Sequence, residues 1–127
     1  MNKKTILCVD DEPEILNSLS RALRLDKYNI LTATSAMEAL KVIEEHHNQI
    51  NLIISDQRMP EVTGVEFFLK IKTAHPNIIR VILSGYTDSM EIIDAINKAN
   101  VFKFLSKPWN DDELRKTIRE CLSHEQS

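Results

Sequence analysis

Apolar residues in this chain fall into two alternating patterns. Short runs at Thr5 to Val9, Asn29 to Ala33, Leu52 to Ile54, Ile78 to Leu83 and Val101 to Leu105 lack the polar alternation of a half-exposed strand. All five predict strands; Leu52 to Ile54 reads as covered on both faces and Thr5 to Val9 as buried in type. Between them, apolar residues recur at helical spacing: Ile15, Leu16, Leu19, Ala22 and Leu23; Ala36, Ala39, Leu40 and Ile43; Val65, Phe68, Leu69 and Ile71. Two further sets are Ile92, Ile93, Ile96 and Ala99, and Leu114, Ile118, Cys121 and Leu122. Start signals precede each set. Pro13 suits a first helical turn, and Ser35/Glu38, Thr63/Glu66, Asp88/Glu91 and Asn110/Glu113 have capping spacing. His46, His47 and Asn48 make a polar turn, and His75-Pro76 ends the third helix because the residue before a proline avoids the α region. The polar tail from Ser123 is expected to fray.

Five strands alternating with five helices through short connections predict an α/β fold, a doubly wound parallel sheet with helices on both faces. Right-handed crossovers limit its topologies. The common order 2-1-3-4-5 places the switch point between the first and third strands, which are the two that run into aspartates.

Composition narrows the chemistry. The 127 residues are expected to form one domain, and 43% hydrophobic with 28% charged residues fit a globular protein. A net charge of −3 offers no general basic surface, so direct nucleic-acid contact is not expected. Cys8 and Cys121 sit at apolar positions and read as buried hydrophobes. Lys3 and Lys4 precede too short an apolar run for a signal peptide, and no stretch could span a bilayer. The expectation is a cytoplasmic protein without membrane contact. With only Gly64 and Gly85 available, no glycine-rich loop can wrap a nucleotide's phosphates, and the four histidines lie away from the carboxyl ends of the strands.

In the predicted topology Asp10 and Asp11, Asp56, Ser84 and Lys107 share one rim. Each has an ordinary explanation alone, as a cap or an edge charge. Together they are harder to dismiss, because carboxylates about 4 Å apart repel by roughly 4 kcal/mol at an effective dielectric near 20. Such a cluster needs a cation, and oxygen ligands suit Mg²⁺. A carboxylate, a metal, a lysine and a hydroxyl suit phosphoryl transfer to Asp56 as an acyl phosphate.

The stretches ILCVDDE (Ile6 to Glu12), LIISDQRMP (Leu52 to Pro60), ILSGY (Ile82 to Tyr86) and FLSKP (Phe104 to Pro108) together resemble the receiver domain of two-component response regulators over nearly the whole chain. The resemblance implies a flavodoxin-like (βα)5 fold and a phosphoacceptor switch. By likeness Asp56 is the phosphoacceptor, and Asp10, Asp11, Asp56 and the backbone carbonyl of Arg58 hold Mg²⁺. Lys107 contacts the phosphoryl group, before a cis bond to Pro108. Ser84 is the switch hydroxyl and Phe104 the switch aromatic, in places where relatives often carry threonine and tyrosine. The implied partners are a sensor histidine kinase or histidine phosphotransfer protein, and an output domain or protein on the face of helix four, strand five and helix five, with a phosphorylation-dependent homodimer as a further expectation. Arg58 and Tyr86 flank the site as candidates to screen the acyl phosphate from water, with a solvated loop position an equal reading for Arg58. Trp109 is expected to pack over the start of the last helix, with a partner anchor as the alternative.

Rival readings are an aspartyl-nucleophile phosphohydrolase, a flavin or nucleotide carrier, and a receiver-like module that takes no phosphate. The first lacks a second aspartate two residues after Asp56, where Arg58 stands. The others meet the missing phosphate loop and the intact acidic set.

Overall fold

A computed structural model describes residues 3–85, 97–98 and 101–124. The elements are β1 (Thr5–Val9), α1 (Pro13–Arg24), β2 (Asn29–Ala33), α2 (Ala36–His46), β3 (Ile50–Asp56), α3 (Gly64–Ala74), β4 (Ile79–Ser84), β5 (Lys103–Ser106) and, as α4 here, the C-terminal helix Asp111–His124. The helix predicted around Ile92 to Ala99, with its Asp88 and Glu91 cap, falls outside the described residues apart from 97–98, and Tyr86 lies outside them too.

The sheet is parallel with order β2-β1-β3-β4-β5, as the sequence predicts. Strand periodicity divides the core into two layers. Leu7, Val9, Ile53 and Ile82 pack with residues of α2 and α3, while Ile6, Cys8, Leu52, Ile54, Val81 and Leu83 pack with residues of α1 and α4. Both cysteines are buried and unpaired in this core. Residues at i and i+1 therefore face opposite layers, which is why the three inner strands are largely apolar, with Arg80 in β4 a buried exception.

The edge strands are less covered. β2 is buried only at Ala33, and β5 has no buried residue. An edge strand has one neighbour, and its faces run out past the covering helices. β5 also begins at Lys103, two residues later than the apolar run suggested, although Phe102 still donates its N–H to the Arg80 carbonyl at 2.8 Å.

One irregularity sits at the start of β3. Thr5 pairs with Ile50 and Ile6 with Leu52, so Asn51 is an extra residue. Its Oδ1 accepts the Thr5 N–H at 2.8 Å. The bulge turns Ile50 toward the α2/α3 layer and Leu52 toward the α1/α4 layer, although they are two residues apart.

Helix ends follow the local signals with small differences. α3 has the complete capping box: Thr63 Oγ1 accepts from Glu66 N–H at 3.1 Å, and Glu66 Oε1 from Thr63 N–H at 2.8 Å. At α2, Ser35 Oγ accepts from Glu38 N–H, but the Glu38 carboxylate returns to the N–H of Thr34 instead of Ser35. Asn110 Oδ1 accepts the Glu113 N–H. At the far end, α4 continues to His124, and Ser123 Oγ donates to the Arg119 carbonyl at 3.0 Å, which ties in a turn expected to fray.

Candidate functional site

Parallel strands finish at one pole, and the register sets what meets there. Val9 is opposite Ser55, Asp56 opposite Leu83, and Ser84 opposite Ser106. The next residue of β1, the last of β3 and β4, and the first beyond β5 thus gather Asp10, Asp56, Ser84 and Lys107.

Asp10 is fully buried. Its N–H donates to the Ala33 carbonyl, and its Oδ1 accepts the Glu12 N–H at 2.9 Å, which fixes the carboxylate as the chain turns into α1. Lys107 Nζ lies 3.2 Å from Asp10 Oδ2 and 3.3 Å from Asp56 Oδ1. The Lys107 backbone N–H donates to the Ser84 carbonyl at 2.9 Å, which ties the end of β5 to β4, and the bond to Pro108 is cis. Asp11 is exposed at the mouth, and ligand oxygens of Asp10, Asp11 and Asp56 all lie within 4.8 Å of one another. Ser84 is buried at the same rim.

The electrostatics follow from this crowding. Burial first, then the Asp10 carboxylate, push the Asp56 carboxyl above its ordinary value, while Lys107 and a backbone hydrogen bond from Arg58 pull it down. Burial alone would lower the Lys107 ammonium, yet Asp56 and Asp10 outweigh it and leave it raised. One ammonium against three carboxylates leaves excess negative charge, and the donors are all oxygens. That set fits a hard divalent cation.

The remaining expected residues lie further out. Arg58 is exposed in the loop after β3. Phe104 is not at the rim: it sits within β5 opposite Ile82, with 42% of its surface exposed. Trp109 donates from Nε1 to Asp111 Oδ1 at 2.9 Å and packs on the α1/α4 layer, as the sequence favours.

Two residues beside the site escaped the sequence reading. Gln57 is buried; its Oε1 accepts the Val65 N–H at 3.1 Å, and its carbonyl accepts the Gly64 N–H at 3.0 Å. It thereby closes the loop from β3 to α3 at its base. Nothing in the sequence marks a glutamine after an aspartate as inward-facing. Gly64 did leave a signal, a glycine at the first turn of a capped helix, and a Cβ there would stand 2.6 Å from the Asp56 carbonyl oxygen.

Residues 6–119 match the model of the response regulator receiver domain. The chain belongs to this family. This receiver domain is 39% identical over 118 residues to the hydrogenase transcriptional regulatory protein HoxA of Cupriavidus necator, covering 93% of this chain and 24% of that protein. It therefore spans about a quarter of the length of the curated relatives it matches. Among solved structures it is similar to the signal receiver domain of an HD domain-containing protein from Pseudomonas fluorescens, with TM-score 0.92, 31% identity, and coverage of 99% of this chain and 91% of that one. A receiver domain protein from Clostridium thermocellum gives TM-score 0.90 and 31% identity, over 97% of each chain. No helix among the described residues of the receiver domain is long and apolar enough to cross a membrane.

Proposed function

We propose that this receiver domain is the phosphoacceptor switch of a two-component system, working in the cytoplasm. An oxygen of Asp56 attacks the phosphorus of a phosphohistidine on a sensor histidine kinase or histidine phosphotransfer protein. The P–O bond forms, the P–N bond breaks, and the imidazole leaves, so that Asp56 carries an acyl phosphate. Asp10, Asp11, Asp56 and the Arg58 backbone carbonyl would hold Mg²⁺, which neutralises charge on the phosphoryl oxygens when bound. Lys107, already between the two buried aspartates, shifts its ammonium onto a phosphoryl oxygen. Ser84 donates its hydroxyl to another.

The added charge of about −1.5 to −2 supplies the driving force for a second state. In that state Ser84 draws its loop toward the phosphate and Phe104 turns inward from its exposed position. The face containing β5 and α4 is then remodelled for an output domain, a downstream protein or a second copy. Catalysis is directed at the chain itself and not at an external substrate.

The observation that carries this reading is Lys107 bridging Asp10 and Asp56 inside a three-carboxylate rim. Intact-mass and peptide mass spectrometry after incubation with Mg²⁺ and acetyl phosphate tests it. The expected result is a gain of about 80 Da, one phosphoryl group, on Asp56 and none in Asp56→Asn. No gain, or a gain on another residue, overturns the proposal.

A further inference from the structure

At the other pole of the sheet, two histidines meet that the phosphoacceptor chemistry does not use. His47 is the C-cap of α2, just before β3, and His75 is the C-cap of α3, just before β4. Their ring centroids are 5.3 Å apart with planes tilted by 34°. Both line a cleft of 370 Å³ that Glu44 and Lys70 also line, over apolar Ile43 and Ile71.

Separate features of this cleft favour a cation. The ends of two helices converge on it, and helix C-termini carry partial negative charge. Glu44 stands three residues before His47, whose backbone is still α-helical, so both side chains share one helical face. The ring spacing is also telling. Two imidazoles on one tetrahedral ion, with metal–nitrogen bonds of about 2.0–2.1 Å, hold their ring centroids about 5 Å apart. Nitrogen donors select borderline transition metals over Mg²⁺, which prefers the all-oxygen rim around Asp56.

We propose that this cleft binds a divalent transition metal of the zinc class, with His47 and His75 as ligands, Glu44 as the third and water completing the shell. The imidazole pair is already close. Among the described residues the group whose three ligand atoms lie within 4.8 Å of one another is the aspartate rim, so binding in the cleft requires its side chains to draw together around the ion. The ion would clip the C-terminal end of α2 to that of α3.

Calorimetric titration of the full chain with ZnCl2, with Mg²⁺ in excess, tests the site. One saturable equivalent is expected, together with a rise in Tm. His47→Ala and His75→Ala should each weaken binding by about tenfold or more and abolish the Tm rise, and Glu44→Gln should weaken it less. Circular dichroism checks that these helix-end variants remain folded. Asp56→Asn should bind zinc as the wild type does, since the rim lies at the other pole. Absence of saturable binding, unchanged binding in both histidine variants, or loss of binding in Asp56→Asn overturns the proposal.

Discussion

Asp56 is held in a position that its own charge disfavours. Burial and the nearby Asp10 carboxylate raise its proton affinity above that of the unfolded chain, so the folded metal-free protein binds a proton more readily. The sign follows from linkage: stability is lost as pH rises from the ordinary value of 3.8 through the raised folded value. Asp56→Asn should therefore stabilise the protein at pH 7 in chelator, by about 1 kcal/mol or more, and flatten that pH dependence. Added Mg²⁺ should narrow the gap between the two proteins. Thermal denaturation with EDTA and with Mg²⁺ at several pH values measures both effects. Lys107 follows the same linkage sign in a higher window: its contribution is present below its ordinary value of 10.5 and is lost as pH rises through the raised folded one. Gly64 is a steric counterpart to this electrostatic strain. Its missing Cβ leaves room for the Asp56 carbonyl oxygen and Ile82 Cδ1, and a backbone oxygen cannot rotate away. Gly64→Ala should cost about 1–3 kcal/mol by urea denaturation, and should also perturb the rim, because the displaced atom belongs to Asp56.

At the scale of elements, capping and close packing do different work. The capping box fixes where α3 begins, and Gln57 then pins that beginning to the end of β3 through its side chain and carbonyl. The exit from α1 is less favourable. Lys27 has φ of 64°, the left-handed region in which a Cβ meets backbone oxygen. Lys27→Gly should therefore stabilise the chain by about 0.5–1 kcal/mol, seen as a higher denaturation midpoint at unchanged slope. The bulge at Asn51 shows how one residue resets a strand. Without it, Ile50 and Leu52 would point into the same layer.

Across the whole molecule, the two layers and the rim are parts of one device. The inner strands β1, β3 and β4 are buried and lead into the aspartates of the rim, while β5 at the edge carries an exposed Phe104. A switch of this kind needs a stiff site beside a face with alternative packings. Phe104→Ala should leave acyl phosphate formation intact but blunt the phosphorylation-dependent change in partner affinity, compared by titration with and without acetyl phosphate. An undiminished response would remove Phe104 from the relay.

Much of this was present in the linear chain. Helical spacing, the Thr63/Glu66 box, Pro13 and His75-Pro76 act within a few residues, so they specify α1 to α4 locally. The inner strands announced themselves by apolar runs, broken in β4 by Arg80; those of β1 and β4 stopped at the rim residues Asp10 and Ser84, and that of β3 at Ser55, one residue before Asp56. Tertiary structure alone decided what depends on neighbours far along the chain. The 3.2 and 3.3 Å approaches of Lys107 to Asp10 and Asp56 join segments 97 and 51 positions apart. The inward turn of Gln57, the exposure of β5 and the meeting of His47 with His75 likewise required the sheet to close first. Periodicity and caps are short-range and can be read in order, whereas distance, burial and charge crowding exist only once strands from separate parts of the chain lie side by side.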